Sequence, residues 1–431
     1  MGGFLSRRAF LAGASASLIA GGAGAARRSS AAPKNLIYLL IKGGWDVSFC
    51  LDPKYHLDTV DGPEVTGTGT DPDEVLTTFP SGLILATNLV KRPAVNTFFD
   101  RWGHRSAVIN GVWMGSIGHQ TCRTHLLTGT SSRLNPDIAS IVGSELGANH
   151  PLGTIDFSGM GFSGALGASS GRLGWSNQLK ILLEPGHSPP APADAPYNLP
   201  LWVPSDSDRD RVGAYMRSRA GVWGDKYGMG AENVQKLDGW HEAMDRADAL
   251  RDAYPLFADR LALGSNPSLD AQIPLALDLL QNDVCRTLTM RDFADWDTHN
   301  HNAVQHVRYE DFFTSLLSFA DQLETRQMLD DTLVVVVSEM TRTPRLNATG
   351  GKDHWAHTSA MMFGGNAAGG KVYGSTNELV EAMPVELATG VPDPSGALLK
   401  YDNFAAGVLE MMDVDPGQWL PGVAPFRGAR I

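Results

Sequence analysis

Asn35 to Ile41 reads N-L-I-Y-L-L-I, an apolar run with no alternation. A strand with one wet face alternates, so an unbroken run predicts a strand covered on both faces, as at the centre of a parallel sheet. Ser106 to Val112 repeats the pattern, and Thr332 to Val337 repeats it with mostly β-branched residues. Cys285 to Met290, Ser359 to Phe363 and Lys371 to Tyr373 are further strand candidates. Between these runs the apolar positions recur at helical spacing. In Tyr309 to Leu329, Phe312, Phe313, Leu316, Leu317, Phe319, Ala320 and Leu323 share one face, which marks them as core. Ala94 to Trp102, Asp137 to Leu146 (closed by Gly147), Gly239 to Leu263, Ala271 to Leu280 and Asn403 to Met412 also read as helices.

Strands and helices in this order predict an α/β fold with parallel strands. The strand Cys285 to Met290, the long helix and the strand Thr332 to Val337 predict a parallel pair joined by a right-handed crossover. Asp61 to Gly82, rich in Gly, Thr, Pro and Asp, reads as a surface loop, and the Pro-rich Ser188 to Pro200 as an extended link. Residues 33–431 are read as one domain, with 153–263 an insertion or cap on the main sheet.

The chain has 431 residues, 43% of them hydrophobic, enough for a sizeable core. Its formal net charge of -12 argues against a nucleic-acid surface. Cys50, Cys122 and Cys285 are too few for a disulfide framework and read as free thiols. Ser6-Arg7-Arg8-Ala9-Phe10-Leu11 is a twin-arginine pattern, and a mild Ala/Gly-rich run to Ala26 follows it. Residues 1–32 are therefore read as a cleaved signal. That reading makes the twin-arginine export machinery a partner and the location periplasmic or secreted. No later segment approaches the roughly 20 apolar residues of a membrane span.

The candidate chemistry lies between Met290 and Gly365. Asp297, His299 and His301 follow one predicted strand, and Asp353, His354 and His357 precede another. Asp and His together are ligands for a divalent cation such as Zn, Ca or Mg. Asp46, after Lys42-Gly43-Gly44-Trp45, stands at the end of the first strand, where α/β sheets build their sites. His119 to Gly129 is polar at its start and apolar at its end, as expected of a helix whose N-terminus faces a site. Glu339 and Arg342, just past a strand, read as an ion pair holding the loop or as pocket lining.

These motifs resemble a bacterial twin-arginine-exported family, domain of unknown function 1501, within the alkaline phosphatase and sulfatase superfamily. The resemblance rests on Gly43 to Asp46, Asp297-Thr298-His299, Ser338 to Pro344, Asn347, Gly351 to Trp355, and Gly364-Gly365 through Gly370 to Thr376. It implies a doubly wound sandwich with metal ligands on loops at strand carboxyl ends. Carried over, the ligands fall on Asp46, Asp297 with His299 or His301, and Asp353 with His354. Sulfatases carry Cys-x-Pro-Ser-Arg before Leu-Thr-Gly. Counting back from Leu127-Thr128-Gly129, the nucleophile position holds His119 and the motif arginine is Arg123. The usual Ser, Thr or Cys nucleophile is absent, and Thr121 and Cys122 are off register.

The first functional expectation is an exported metal-dependent hydrolase acting on a sulfate or phosphate ester of a small molecule or glycan. Arg123 would clamp an oxygen, and His119 would attack or move a proton. The second is a metal-binding scaffold without turnover that recognises glycans or a partner protein. A third is a metal that only staples loops. An Asp/Asp/His ligand set is expected, with Gly350-Gly351 turning the chain so that the adjacent Asp353 and His354 reach one ion.

Overall fold

The computed structural model describes residues 32–66, 69–174, 178–183, 205–228, 230–261 and 263–431. The expected signal, save its last residue, and the Pro-rich link lie outside the described residues. One sheet of eight strands organises the rest. They are β1 (Asn35–Ile41), β2 (Ser106–Trp113), β3 (Thr154–Asp156), β4 (Ser170–Arg172), β5 (Thr287–Asp292), β6 (Thr332–Ser338), β7 (His357–Gly364) and β8 (Lys371–Tyr373). Their spatial order is β8-β2-β7-β6-β1-β5-β3-β4. Strand β1 pairs in parallel with β6 on one side and β5 on the other. Strand β7 runs antiparallel to both its neighbours, and the other pairings are parallel.

All seven residues of β1 are buried, as its unbroken apolar run requires. Leu36, Tyr38 and Leu40 join the core layer of α2 (His119–Thr128), α3 (Ile138–Leu146) and a late helix, Tyr401–Met411. Ile37, Leu39 and Ile41 join the opposite layer, built from α1 (Pro93–Trp102) and the helices Leu269–Gln281 and Gln305–Thr325. Burying each such side chain contributes about 1.5–3 kcal/mol, so the central strand anchors both layers. The expected mostly parallel α/β sandwich is what the chain forms. All three cysteines are buried and free. Among the described residues no helix is long and apolar enough to cross a membrane.

Three expectations need correction. Strands β5 and β6 are not hydrogen-bonded to each other, because β1 lies between them. The surface loop contains an antiparallel hairpin, Glu74–Thr78 with Ile84–Asn88, turning through Pro80 to Gly82. The supposed cap begins inside the main sheet, since β3 and β4 fall within it. It also contains two long helices, Asp206–Tyr227 and Ala231–Ala253. The first buries none of its side chains, so it offers no apolar stripe to read. Its start carries a capping box, Ser205 with Asp208, that periodicity alone overlooks.

The topology collects one set of loops at one edge. The carboxyl ends of β1, β5 and β6 lie side by side. Because β7 is antiparallel, the chain entering it from Asp353 to Trp355 arrives at that same edge. Helix α2 follows β2 there as well.

Candidate metal centre

Two close backbone approaches bring the loops together. Gly43 has φ +112, and a Cβ on it would lie 2.7 Å from the Asp297 nitrogen. Only glycine lets the loop after β1 press against Trp296 and Asp297 in this conformation. A Cβ on Gly351 would collide with the backbone carbonyl of His299. There the loop Asn347 to Lys352 is held by the Asn347 amide, which donates to His299 O at 3.0 Å.

Arg342 ties four segments at once. It is fully buried. Its guanidinium donates to Gly43 O, to Gly44 O at 2.9 Å, to Lys352 O at 3.3 Å and to Asp297 Oδ1 at 2.6 Å. Burial alone would raise the Asp297 pKa. The bonds and charges of Arg342, with those of His354 and His119, outweigh it and hold the carboxyl at about 2. Asp297 is therefore an anion at neutral pH.

Three imidazoles surround that anion. His119 Nε2 lies 3.2 Å from Asp297 Oδ2. His354 Nε2 lies 3.1 Å, and His299 Nε2 3.2 Å, from Asp297 Oδ1. His299 Nε2 and His354 Nε2 are 2.9 Å apart. Each ring is anchored through its other nitrogen. His119 Nδ1 meets Glu339 Oε1 at 2.7 Å, His299 Nδ1 meets Asp353 Oδ1 at 2.9 Å, and His354 Nδ1 meets the Ile117 carbonyl at 2.8 Å. These partners accept, so each Nδ1 carries a proton, and each Nε2 is turned inward toward Asp297. A bound cation would take an Nε2 lone pair from His119 and from His354.

The residues fit a divalent metal ion as that cation. One ligand atom each from His119, Asp297 and His354 lies within 4.8 Å of the other two. Tetrahedral bonds of about 2.0–2.2 Å place ligand atoms about 3.3 Å apart, close to the 3.1–3.2 Å contacts made through Asp297. A metal-binding histidine donates its far N–H to a carboxylate or carbonyl, as all three do here. Glu339 is buried and also accepts from Gly43 N at 2.8 Å. Its hydrogen bond is the main reason the His119 pKa stands above its ordinary value, with the charges of Glu339 and Asp297 adding to it. Glu339 Oε2 has no hydrogen-bond partner and lies 3.3 Å from Arg123 Nε.

Other predicted site residues stand elsewhere. Asp46 is buried and its carboxylate is fully engaged. Oδ1 accepts from Ser48 Oγ at 2.7 Å, and Oδ2 accepts from Asn302 Nδ2 at 2.7 Å and pairs with Lys352 Nζ at 2.8 Å. It braces the loop after β1 rather than joining the three rings. His301 is exposed, in a left-handed conformation at φ 57, and makes no contact with the cluster. Asp353 stays one step back, where its bond to His299 is the main cause of its lowered pKa. His354 opens the short strand His354–Trp355 and reaches Asp297, while Asp353, just before that strand, meets His299 instead. His119 is drawn into the cluster. Glu339 and Arg342 do not pair with each other; one orients His119 and the other fixes Asp297.

A family model described as "Protein of unknown function (DUF1501)" matches residues 225–398. That span contains Asp297, His299, Glu339, Arg342, Asp353 and His354 but not His119. No curated protein matches the chain. Solved structures that match include a phosphonate monoester hydrolase from Silicibacter pomeroyi, with 10% identity and TM-score 0.34, covering 91% of this chain and 77% of that one. A protein in the alkaline phosphatase superfamily from Vibrio parahaemolyticus matches with 9% identity and TM-score 0.34, over 90% and 68%. The alkaline phosphatase from the Antarctic bacterium TAB5 matches with 11% identity and TM-score 0.35, over 89% and 99%.

Proposed function

We propose that this protein is a metal-dependent hydrolase of sulfate or phosphate esters, working after twin-arginine export. The observation that carries the reading is the convergence of His119 Nε2, Asp297 and His354 Nε2, each ring braced from behind. Two histidines and one carboxylate leave a coordination position open, as catalytic sites require. A divalent ion held there would supply a Lewis acid for the ester oxygen and a more acidic water. The Ser6 to Leu11 motif supports export.

The chain's own groups divide the remaining tasks. Arg342 keeps Asp297 ionised and aimed inward. His299 is the most exposed of the three rings, at 41% of its side chain. Backed by Asp353, it can deliver a proton to a departing oxygen at the mouth of the site. Arg123 stands beside Glu339 at the start of α2, placed to meet a non-bridging oxygen. Among the described residues, neither Cys122 nor Thr121 is placed as a nucleophile at the cluster. Cys122 is buried, its thiol is pushed up to about 11 chiefly by burial, and its Sγ meets the Ser116 carbonyl at 3.1 Å. Thr121 faces solvent. Attack therefore falls to water.

Release of nitrophenol from aryl phosphate and aryl sulfate, measured with Zn, Mn, Mg or Ca present, tests this. We expect turnover with at least one ester and its abolition by Asp297→Asn. Full metal loading without turnover of any ester would refute the hydrolase and favour a scaffold that recognises glycans or a partner.

A further inference from the structure

Arg291 is a charged side chain that the site as described leaves unused. It stands at the carboxyl end of β5, opposite Leu40 of β1. Leu40 belongs to the core layer of α2, so Arg291 emerges on the face where α2 packs. Arg123 lies on that helix, one turn before Leu126 and Leu127. Arg291 is partly buried, yet its guanidinium makes no hydrogen bond and no ion pair among the described residues, and its Nε is fully enclosed. Its ring contact is with Phe293, 4.3 Å from the centroid. Burial first, and the charge of Arg123 second, oppose its protonation. Two guanidiniums therefore stand within each other's field.

Each nearby carboxylate has partners of its own. Glu339 serves His119 and Gly43. Asp292 accepts from Trp296 Nε1 at 2.7 Å and from Ala294 N at 3.0 Å. Arg123 engages its Nε with Glu339 Oε2 and the His119 carbonyl, and its outer nitrogens have no hydrogen-bond partner among the described residues. Among the described residues, the Arg291 guanidinium and the outer nitrogens of Arg123 thus keep N–H groups unengaged at this corner. Two arginine forks with free N–H groups match the oxygens of a tetrahedral oxyanion.

We propose that Arg291 and Arg123 form an oxyanion subsite beside the metal centre, with Arg291 a substrate-positioning residue that grips the sulfate or phosphate group of the ester. The inference rests on the hydrolase reading for its substrate, but its test does not need turnover. Inorganic phosphate and inorganic sulfate are titrated calorimetrically into the full chain, with and without zinc, for wild type, Arg291→Ala and Arg291→Lys. Loss of charge-assisted bonds to one guanidinium predicts about 10- to 100-fold weaker phosphate binding in Arg291→Ala. Arg291→Lys should recover part of it, and added guanidinium ion should restore binding to Arg291→Ala, which a merely structural role would not allow. Zinc affinity should match wild type in both variants. Phosphate binding that is absent in wild type, unchanged in Arg291→Ala, or lost together with zinc and not rescued by guanidinium would overturn the subsite. Arg291-dependent phosphate binding without ester turnover would sink the hydrolase alone. Turnover with a KM indifferent to Arg291→Ala would sink the subsite alone.

Discussion

Glu339→Gln removes one charge from behind His119 while keeping shape and volume. In the native site the buried carboxylate accepts the His119 Nδ1 proton at 2.7 Å and the Gly43 amide at 2.8 Å. A bond to a charged acceptor is worth about 1.5–3 kcal/mol and a neutral one about 0.5–1.5 kcal/mol. The exchange therefore costs the His119 ligand about 1–2 kcal/mol of basicity and orientation, or about 5- to 30-fold in metal affinity. Loss of such an outer partner elsewhere weakens metal binding about 10- to 100-fold, which overlaps that range. Glutamine can still accept from Gly43 N, so the fold should survive. Zinc affinity is to be measured by competition with a chromophoric chelator, and the stability of the zinc-free chain by thermal melting. The reasoning predicts roughly tenfold weaker zinc and a nearly unchanged melt. Zinc affinity within twofold of wild type in a folded variant would refute it, because His119 would then not need its carboxylate.

Two further predictions concern the scaffold. His306 is buried and accepts from Arg92 Nη1 at 2.5 Å; burial and then the Arg92 charge push its pKa down from 6.5 to about 4. The unfolded chain takes up this proton near 6.5 and the folded chain only near 4, so stability is full above 6.5 and is lost as pH falls from there. Two to three units at about 1.4 kcal/mol each give about 3 kcal/mol, visible as a pH slope in urea unfolding that His306→Gln should flatten; equal slopes in both proteins would contradict this. Gly351→Ala should force the loop off His299 and lower both thermal stability and zinc affinity, since overpacking of this kind costs about 1–3 kcal/mol; a wild-type melt and wild-type zinc affinity would show that the contact is not needed.

What the sequence revealed, and what it hid, follows from the range of each interaction. The β1 run is legible because burial on both faces writes itself into every residue from Asn35 to Ile41. Its insertion between β5 and β6 is not, because sheet order is decided by partners about 250 and 297 residues away. The hairpin Glu74–Asn88 hid in its turn chemistry, and the helix Asp206–Tyr227 hid because a fully solvated helix has no apolar period. In the site, Asp297, His299 and His354 were visible as Asp/His neighbours beside strands. Where the Asp353 and Asp46 carboxylates stand was not legible, because an aspartate's sequence neighbours do not say what its carboxylate meets. For Asp46 the answer is a buried lysine, Lys352, which no local pattern marks. His119 was legible as the polar start of a helix and by its position in a borrowed motif. Its role turned on Glu339, 220 residues later.

The central claim is that His119, Asp297 and His354 hold one divalent ion. Elemental analysis of the full chain, equilibrated with zinc and freed of excess, measures it most directly. The account predicts one zinc per wild-type chain, near-complete loss in His119→Ala, Asp297→Asn and His354→Ala, and retention in His301→Ala. Wild-type protein without bound zinc, manganese or calcium, or zinc retained in all three site variants, would contradict it.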